Sequence, residues 1–412
     1  MPGTYDVIVI GGGASGMMAA GRAAERGKRV LLLEKNAHLG EKLSISGGWR
    51  CNILNEEENE RTLLAHYGKS EQFLYSPFSQ FGMSETRDFF ESHGLPLKVE
   101  ARKRAFPKSE KASDVVKALE RYLKRGRVDV HLGAPVQNVV ADGDHITKVV
   151  VRDKEYTAHS YILATGGVSH PETGSTGDGF AWLSSLGHTI RKPTPTIVPL
   201  RASDAWIKKV SGITVKNMKL TFFVEGKRAF SVRGDLLFTH FGLSGPQILN
   251  VAGKVSDILQ QGMVTGQIDT YPAHDIGILE RKITEIFETN KNKLLKNVFK
   301  EIAPPGTGAV ILALAPDVDP DTKVHSVTKE DRRQLVKLLK GLPVTITGLM
   351  GFDRAVVADG GLLLTEVDTK TMRSRTYSNL YVTGDILHIT RPSGGFSLQL
   401  AWTTGYVAGS HA

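Results

Sequence analysis

One glycine-rich turn constrains the fold of this chain more than any other feature. It reads Gly11-Gly12-Gly13-Ala14-Ser15-Gly16, follows an apolar strand predicted over 5–10, and opens a helix predicted over 14–26. A second apolar strand is predicted over 30–33, which completes a βαβ unit. In the pattern G-x-G-x-x-G the first glycine permits the tight turn, the second lets the backbone approach a pyrophosphate, and the third lets helix and strand pack closely. The turn therefore predicts a Rossmann-like dinucleotide site with phosphates at the helix N-terminus.

A carboxylate stands where such a site needs one. Glu34 closes the second predicted strand, about 20 residues beyond the turn, where an acidic residue accepts the ribose hydroxyls. A glycine turn with no ligand is the alternative.

Two distant segments favour FAD over NAD as the dinucleotide. A strand predicted over 380–382 ends in Gly384-Asp385, and Gly394-Gly395 then precede a helix predicted over 397–408. In FAD enzymes of this architecture such an aspartate binds the ribitol chain, and the helix N-terminus stabilises negative charge at the pyrimidine edge of the reduced flavin. Ala164-Thr165-Gly166 ends another predicted strand that returns to the cofactor. Asp385 could instead be a turn residue.

Cysteine content and hydropathy exclude several protein classes. The single cysteine, Cys51, allows neither an internal disulfide nor a paired-cysteine redox centre. No apolar run approaches the roughly 20 residues that span a bilayer, and the first residues lack the basic region of a signal peptide. We therefore expect a cytoplasmic protein without a membrane anchor, and we predict no metal site.

The charge pattern leaves two interpretations open. The net charge is +9, and basic residues concentrate over 98–127 and again over 291–300. They either form solvated surfaces or provide a face for an anionic partner such as RNA or a phosphorylated substrate.

Several distinctive strings resemble the BaiN/RdsA-like (YhiN-type) family of FAD-dependent oxidoreductases, in order along nearly the whole chain. The strings are Val7–Gly16, Lys42–Gly48 with Arg50-Cys51-Asn52, Phe106-Pro107, Thr173–Gly179, Leu237–Pro246, Gly384-Asp385 and Gly394–Phe396. This sequence departs from the family at Trp49, which replaces a glycine, and at His388 and Arg391. These departures lie where the flavin's surroundings are expected, so they bear on substrate identity.

The resemblance implies an α/β fold with a discontinuous Rossmann-like FAD-binding domain and an inserted, β-barrel-like and helical domain. The expected boundaries are 1–193 and 343–412 for the FAD-binding domain and 194–342 for the insertion. Further cofactor-binding candidates implied by the resemblance are Lys35, Lys42, Ser46, Gly47, Arg50, Cys51, Asn52, Val136, Thr176, Asp178, Phe396 and Ser397. Cys51 is expected to be a small buried residue near the pyrophosphate, with a perturbed thiol as the alternative.

The activity that the family implies is NAD(P)H-dependent reduction of an activated carbon–carbon double bond, by hydride transfer from flavin N5. No second G-x-G-x-x-G unit is present, so NADH or NADPH would dock transiently at the flavin. His240, His388 and Arg391 are the candidate proton donors. For His240, a helix predicted to begin near Pro246 and capped by Ser244 would add positive potential.

Two other activities stay open. A flavin-dependent enzyme that converts a uridine of ribosomal RNA to dihydrouridine would use the basic faces. A flavin oxidase or electron-transfer flavoprotein would need no hydride acceptor. The expected partner is accordingly a small-molecule substrate or a structured RNA.

Overall fold

The computed structural model describes residues 5–412, which form two compact units. One unit comprises the chain up to Thr194 together with Val356–Ala412, and the other is Pro195–Ala355. The boundary expected at Leu342 falls too early, because the strand that begins there belongs to the barrel of the second unit.

The first segment of the chain alternates short strands and helices. Its strands are β1 (Tyr5–Ile10), β2 (Val30–Leu33), β3 (Leu54–Asn55), β4 (Leu97–Glu100), β5 (Arg104–Pro107), β6 (Asp129–His131), β7 (Val136–Asp142), β8 (His145–Val151), β9 (Lys154–Tyr156), β10 (Ala158–Leu163) and β11 (Ile190–Ile197). Its helices are α1 (Ala14–Glu25), α2 (Glu41–Trp49), α3 (Glu60–Ala65), α4 (Glu71–Gln80), α5 (Met83–Ser92), α6 (Ala112–Arg125) and α7 (Asp178–Ser185).

The remaining elements belong to the insertion and to the C-terminal segment. The insertion contains β12 (Leu200–Ala202), α8 (Ala205–Lys209), β13 (Thr214–Val224), β14 (Lys227–Thr239), β15 (Gly242–Ser244), α9 (Pro246–Leu259), β16 (Val264–Asp269), α10 (Ile276–Thr289), α11 (Leu295–Ile302), α12 (Gly308–Ala313), α13 (Lys329–Lys340) and β17 (Leu342–Leu349). The C-terminal segment contains β18 (Val357–Leu362), β19 (Leu380–Val382) and α14 (Phe396–His411).

A five-stranded parallel sheet organises the first unit. Its order is β19-β10-β1-β2-β6, with every neighbouring pair parallel. The central strand β1 is almost wholly buried, which explains why it is apolar on both faces. The chain continues from β1 to β2 on one side, whereas β10 lies on the other, so the strand order reverses beside β1. Ligands of such sheets bind outside the carboxyl ends of the strands at this switch point.

Helices α1 and α14 pack through glycines at helical spacing. A Cβ atom on Gly405 would lie 2.4 Å from the carbonyl oxygen of Ser15, and one on Gly409 would lie 2.3 Å from that of Ala19. Only glycine permits this backbone approach, which brings the C-terminal helix against the helix that follows the glycine turn.

The second unit is a closed barrel with helices packed around it. Its strand order is β12-β15-β14-β13-β16-β17, and neighbouring strands are antiparallel. Strands β13 and β14 form a long hairpin that turns at Glu225-Gly226. The barrel confirms the expected barrel-like insertion.

The chain leaves the first unit along β11 and returns along β18, and these two strands pair with each other. A Cβ atom on Gly360 would lie 2.5 Å from the Cα atom of Pro193. The points at which the chain leaves the first unit and returns to it are therefore adjacent. Within residues 5–412, no helix has both the length and the apolar character needed to cross a membrane.

Candidate functional site

The glycine turn has the geometry that its sequence predicts. Gly11 has φ 108°, and a Cβ atom on it would lie 2.5 Å from the carbonyl oxygen of Ala164. A Cβ atom on Gly16 would lie 1.8 Å from the carbonyl oxygen of Gly11, whereas one on Gly13 would meet nothing within 4 Å. Gly13 is the N-cap of α1, and no side chain caps this helix. The turn is closely packed on the strand side and open at the helix N-terminus, where an anion can bind.

Glu34 lies directly beside this turn. Its carboxylate is buried and accepts hydrogen bonds from the backbone N–H groups of Gly12, at 2.6 Å, and Asn36, at 2.8 Å. Each carboxylate oxygen keeps a second lone pair, so Glu34 can still accept a ribose hydroxyl.

The Thr173–Gly179 string forms a loop that is tied to the end of β2. The Lys35 amine donates to the Thr176 hydroxyl at 2.5 Å and lies 2.7 Å from the Asp178 carboxylate. The Asn36 amide donates to the Thr173 carbonyl at 3.0 Å. Val136 begins β7, close to this edge, because the neighbouring Ala134 N–H bonds the Glu34 carbonyl. The structure thus gathers Lys35, Thr176 and Asp178 on the Glu34 side.

The Ser46–Asn52 string breaks α2 and turns the chain back. Ser46 has extended geometry, and Gly47 and Gly48 have positive φ. Cys51 is fully buried, and burial raises the pKa of its thiol to about 12. The expectation of a small buried residue fits, and the perturbed nucleophilic thiol does not.

Arg50 does not extend toward the glycine turn's open side. Its guanidinium pairs with Glu100 and Glu110 and lies 4.2 Å from the centre of the Phe106 ring. These partners account for its charge, so Arg50 braces the loop against β4 and β5.

The N-terminus of α14 is held by the same loop. Asn52, with its amide nitrogen toward the Leu54 and Ala105 carbonyls, accepts a 2.9 Å hydrogen bond from the Gly395 N–H. The Asn55 amide donates to the Gly394 carbonyl at 3.0 Å. Gly395 has φ 101°, and a Cβ atom on it would lie 2.6 Å from the Leu54 carbonyl oxygen. No side chain caps α14, so its positive end is available to a ligand.

The three last candidates near this helix have different roles. Phe396 is buried at the start of α14, and the centre of its ring lies 4.7 Å from that of His66. Ser397 accepts a 3.0 Å hydrogen bond from Nε of Arg391. Gly384 has φ 80°, and a Cβ atom on it would lie 2.6 Å from the Ser15 hydroxyl, which fixes the turn after β19 against α1.

Asp385 lies between two cations. Arg391 donates to one of its carboxylate oxygens, and the Lys42 amine lies 3.9 Å from the other. Lys42 also donates to the Ser169 hydroxyl at 3.4 Å. Burial lowers the pKa of the Lys42 amine, and Arg391 lowers it further, against the opposing effect of Asp385.

Arg391 does not fit the expected role of proton donor. Its side chain is 2 % exposed. Its other hydrogen bonds go to Ser397 and, at 2.6 Å, to the Ile389 carbonyl. A guanidinium so placed stays charged and holds its partners in position.

The surroundings of His388 favour its neutral form. Its Nε2 accepts from the Arg191 guanidinium at 3.1 Å. Burial lowers its pKa, and the charge of Arg191 lowers it further. Protonation as an imidazolium is disfavoured beside that cation, which weakens the case for His388 as an acid.

His240 lies at the turn between β14 and β15 and is exposed. The glycines around it serve the barrel: a Cβ atom on Gly242 would lie 2.2 Å from the Leu200 carbonyl oxygen, and one on Gly245 would lie 2.7 Å from that of Asp235. Helix α9 begins at Pro246 as expected, but the predicted Ser244 cap is wrong, because Gly245 is the N-cap and no side chain caps the helix.

Sequence reasoning missed several residues that shape the site. Asn36 and Asn55 fix loops through side-chain amides, Ser169 contacts Lys42, and Arg191 controls His388. Asn36 could have been suspected because it directly follows Glu34-Lys35. Arg191 gave no signal, since its partner is almost two hundred positions away.

The residues present fit FAD. Two uncapped helix N-termini, those of α1 and α14, flank the carboxyl edge of the sheet, and the turn at Gly13 leaves room for a pyrophosphate. Glu34 and Asp385 provide acceptors beside the ends of β2 and β19.

Comparison with known proteins gives a match along the whole chain. The family model described as the HI0933-like protein Rossmann domain matches residues 5–411. A 3-dehydro-bile acid delta(4,6)-reductase of Clostridium scindens is 29% identical, with 98% of each chain covered. A ribosomal RNA dihydrouridine synthase of Haemophilus influenzae is 26% identical over 97% of this chain and 96% of its own.

Solved structures show the same fold. The 3-ketosteroid-delta4-(5alpha)-dehydrogenase of Rhodococcus jostii RHA1 aligns with a TM-score of 0.55 at 16% identity, covering 100% of this chain and 97% of its own. The family match and the FAD-type site together confirm the expected resemblance. The chain therefore belongs to the HI0933-like Rossmann-domain family and is an FAD-dependent oxidoreductase.

Proposed function

We propose that this enzyme uses NADH or NADPH to reduce an activated carbon–carbon double bond of a small molecule. The observation that carries the proposal is the full-length similarity to a bile-acid reductase, which covers 98% of both chains. Both compact units therefore have counterparts in a relative named for double-bond reduction. The geometry is compatible with this activity, because the dinucleotide site has the uncapped N-termini of α1 and α14 beside it.

The residues that would bind FAD follow from their positions. Gly11, Gly13 and Gly16 would let the pyrophosphate approach α1, and Glu34 would accept ribose hydroxyls. Asp385 would accept a ribitol hydroxyl while Arg391 holds it. Lys35, Thr176 and Asp178 would close the Glu34 side through their hydrogen bonds. Bound FAD supplies hydride transfer between the nicotinamide donor and the double bond.

The chain itself must deliver a proton to the second carbon. Among the three candidates, Arg391 is buried and donates three hydrogen bonds, and burial together with the charge of Arg191 lowers the pKa of His388. His240 is exposed and forms no hydrogen bond with another described residue. We therefore propose His240 as the proton donor.

An anaerobic reduction experiment tests the proposal. The FAD-loaded protein is reduced with NADH or NADPH and mixed with a panel of conjugated enones, and flavin reoxidation is followed by absorbance. Reoxidation by an enone with formation of the saturated product supports the proposal. Rapid reoxidation by air alone, with no enone turnover, would identify an oxidase or electron-transfer protein instead.

A second candidate is reduction of a uridine in ribosomal RNA. The dihydrouridine synthase of Haemophilus influenzae is similar over nearly its whole length. One surface of this chain also suits a polyanion: a Cβ atom on Gly126 would lie 2.7 Å from the Cβ atom of Ala24, so the C-terminal ends of α1 and α6 are adjacent. Five exposed basic residues without an ion pair to another described residue cluster there: Arg26, Lys28, Lys124, Arg125 and Arg127. We call them the α1/α6 patch.

The RNA candidate is tested by binding and by product. Affinity for structured ribosomal RNA should fall steeply with salt, and alanine substitutions in the α1/α6 patch should reduce that salt dependence. Dihydrouridine formation in RNA from a strain lacking its own enzyme would identify this activity. Salt-insensitive binding and no dihydrouridine would reject it.

A further inference from the structure

Three charged side chains meet at the carboxyl edge of the parallel sheet. Asp385 follows β19, and Arg391 lies six residues beyond Asp385. Lys42 belongs to α2. Arg391 donates to Asp385, and the Lys42 amine lies 3.9 Å from the same carboxylate. We call these three residues the charge cluster.

The charge cluster carries more positive than negative charge. It contains two cations and one carboxylate, with side chains 2 % exposed for Arg391, 28 % for Lys42 and 25 % for Asp385. Glu172 lies outside the charge cluster; it acts on Lys42, and its carboxylate is 2.7 Å from Nδ1 of His170. Partly desolvated positive charge without a full complement of anions is unfavourable, so an anionic ligand stabilises such a site.

The surroundings of the charge cluster connect it to the cofactor end of the sheet. A Cβ atom on Gly166, in the loop after β10, would lie 3.8 Å from the Lys42 amine. Nε of Arg391 bonds Ser397 in the first turn of α14, whose N-terminus no side chain caps. The excess charge and the positive helix end therefore lie together where strands β10 and β19 end.

We propose that the charge cluster, together with the N-terminus of α14, stabilises the negative charge that reduction places on the flavin and thereby sets its reduction potential. The inference rests on the FAD assignment of the proposed function but not on its substrate. Removing a cation should lower the potential, and removing the carboxylate should raise it.

The test is the midpoint potential of FAD-loaded variants, titrated without any substrate. Lys42→Met removes a cation and Asp385→Asn removes the negative charge. Lys148→Met is the matched control, because Lys148 is similarly exposed at 33 % but pairs with Glu155 in the β8–β9 hairpin. A tenfold change in relative affinity for reduced over oxidised FAD corresponds to about 30 mV for two electrons.

We expect about a tenfold loss of that relative affinity in Lys42→Met, a gain in Asp385→Asn, and no change in Lys148→Met. Arg391→Gln should lower the midpoint potential, as Lys42→Met does. If the Arg391→Gln protein does not bind FAD, the comparison of Lys42→Met with Asp385→Asn still decides the question. Unchanged potentials, or shifts of the same sign in both, would overturn the inference. Shifted potentials in an enzyme that reduces no enone would support the inference and reject the proposed function.

Discussion

The buried guanidinium of Arg391 donates a hydrogen bond to the carboxylate of Asp385, the residue proposed to bind the ribitol chain. The acceptor is therefore positioned before any ligand arrives. Because the carboxylate also lies 3.9 Å from Lys42, its loss would leave two cations without their shared partner.

Asp385→Ala should weaken FAD binding about ten- to a hundredfold, since a lost hydrogen bond to a charged group corresponds to roughly 1.5–3 kcal/mol. Titration of the apoprotein with FAD, followed by flavin fluorescence, measures this. Asp385→Asn keeps one acceptor oxygen and should lose less. Equal and unchanged affinity in both variants would show that Asp385 serves only the turn.

Gly13→Val should give a folded protein that holds no FAD. A Cβ atom at this position meets nothing within 4 Å, so the fold tolerates it, but it would occupy the space of the pyrophosphate. Circular dichroism tests whether the variant folds, and the flavin absorbance of the purified protein tests whether it holds FAD. Gly16→Ala is the contrast, because its Cβ atom would lie 1.8 Å from the Gly11 carbonyl oxygen and should disrupt folding itself. A yellow Gly13→Val protein would refute the assignment of the turn.

His240→Ala should retain the flavin spectrum and reduction by the nicotinamide donor but lose turnover of the acceptor. The reason is that hydride transfer stalls when no acid supplies the second hydrogen. His325→Ala, another exposed histidine of the same unit, is the control. Stopped-flow measurement of the two half-reactions separates the steps, and full turnover by His240→Ala would exclude its role.

Cys51 should be unreactive toward thiol reagents in the native protein. With a pKa near 12, about one thiol in ten thousand is ionised at pH 8, whereas about a quarter of exposed thiols are. Labelling with a chromogenic disulfide should therefore appear only after denaturation. Fast stoichiometric labelling of the native state would contradict the buried position.

Gly409→Ala should lower the melting temperature, because its methyl group would lie 2.3 Å from the Ala19 carbonyl oxygen, and overpacking destabilises by about 1–3 kcal/mol. The control is Gly253→Ala in α9, where the nearest atom is 4.0 Å away. That change should stabilise its helix by up to about 1 kcal/mol through propensity. Calorimetry distinguishes the two, and equal effects would refute the packing argument.

Local sequence patterns were sufficient for the βαβ unit and for the glycine turn, because each depends on neighbouring residues. They failed for the barrel boundary, since β17 is recognised only by its pairing with β12 and β16. They suggested Arg391 as a proton donor but could not show that burial and three hydrogen bonds fix its side chain. Residues that act through long-range contacts, such as Arg191, leave no local signal.

The pairing of β11 with β18 has a consequence for how this architecture diversifies. Since the chain departs and returns along neighbouring strands, the 161-residue insertion occupies a single connection between two paired strands. Genes could exchange that connection for another of different length without altering the register of the parallel sheet. Substrate range can thus evolve by replacing one module while the electron-carrying frame is inherited intact.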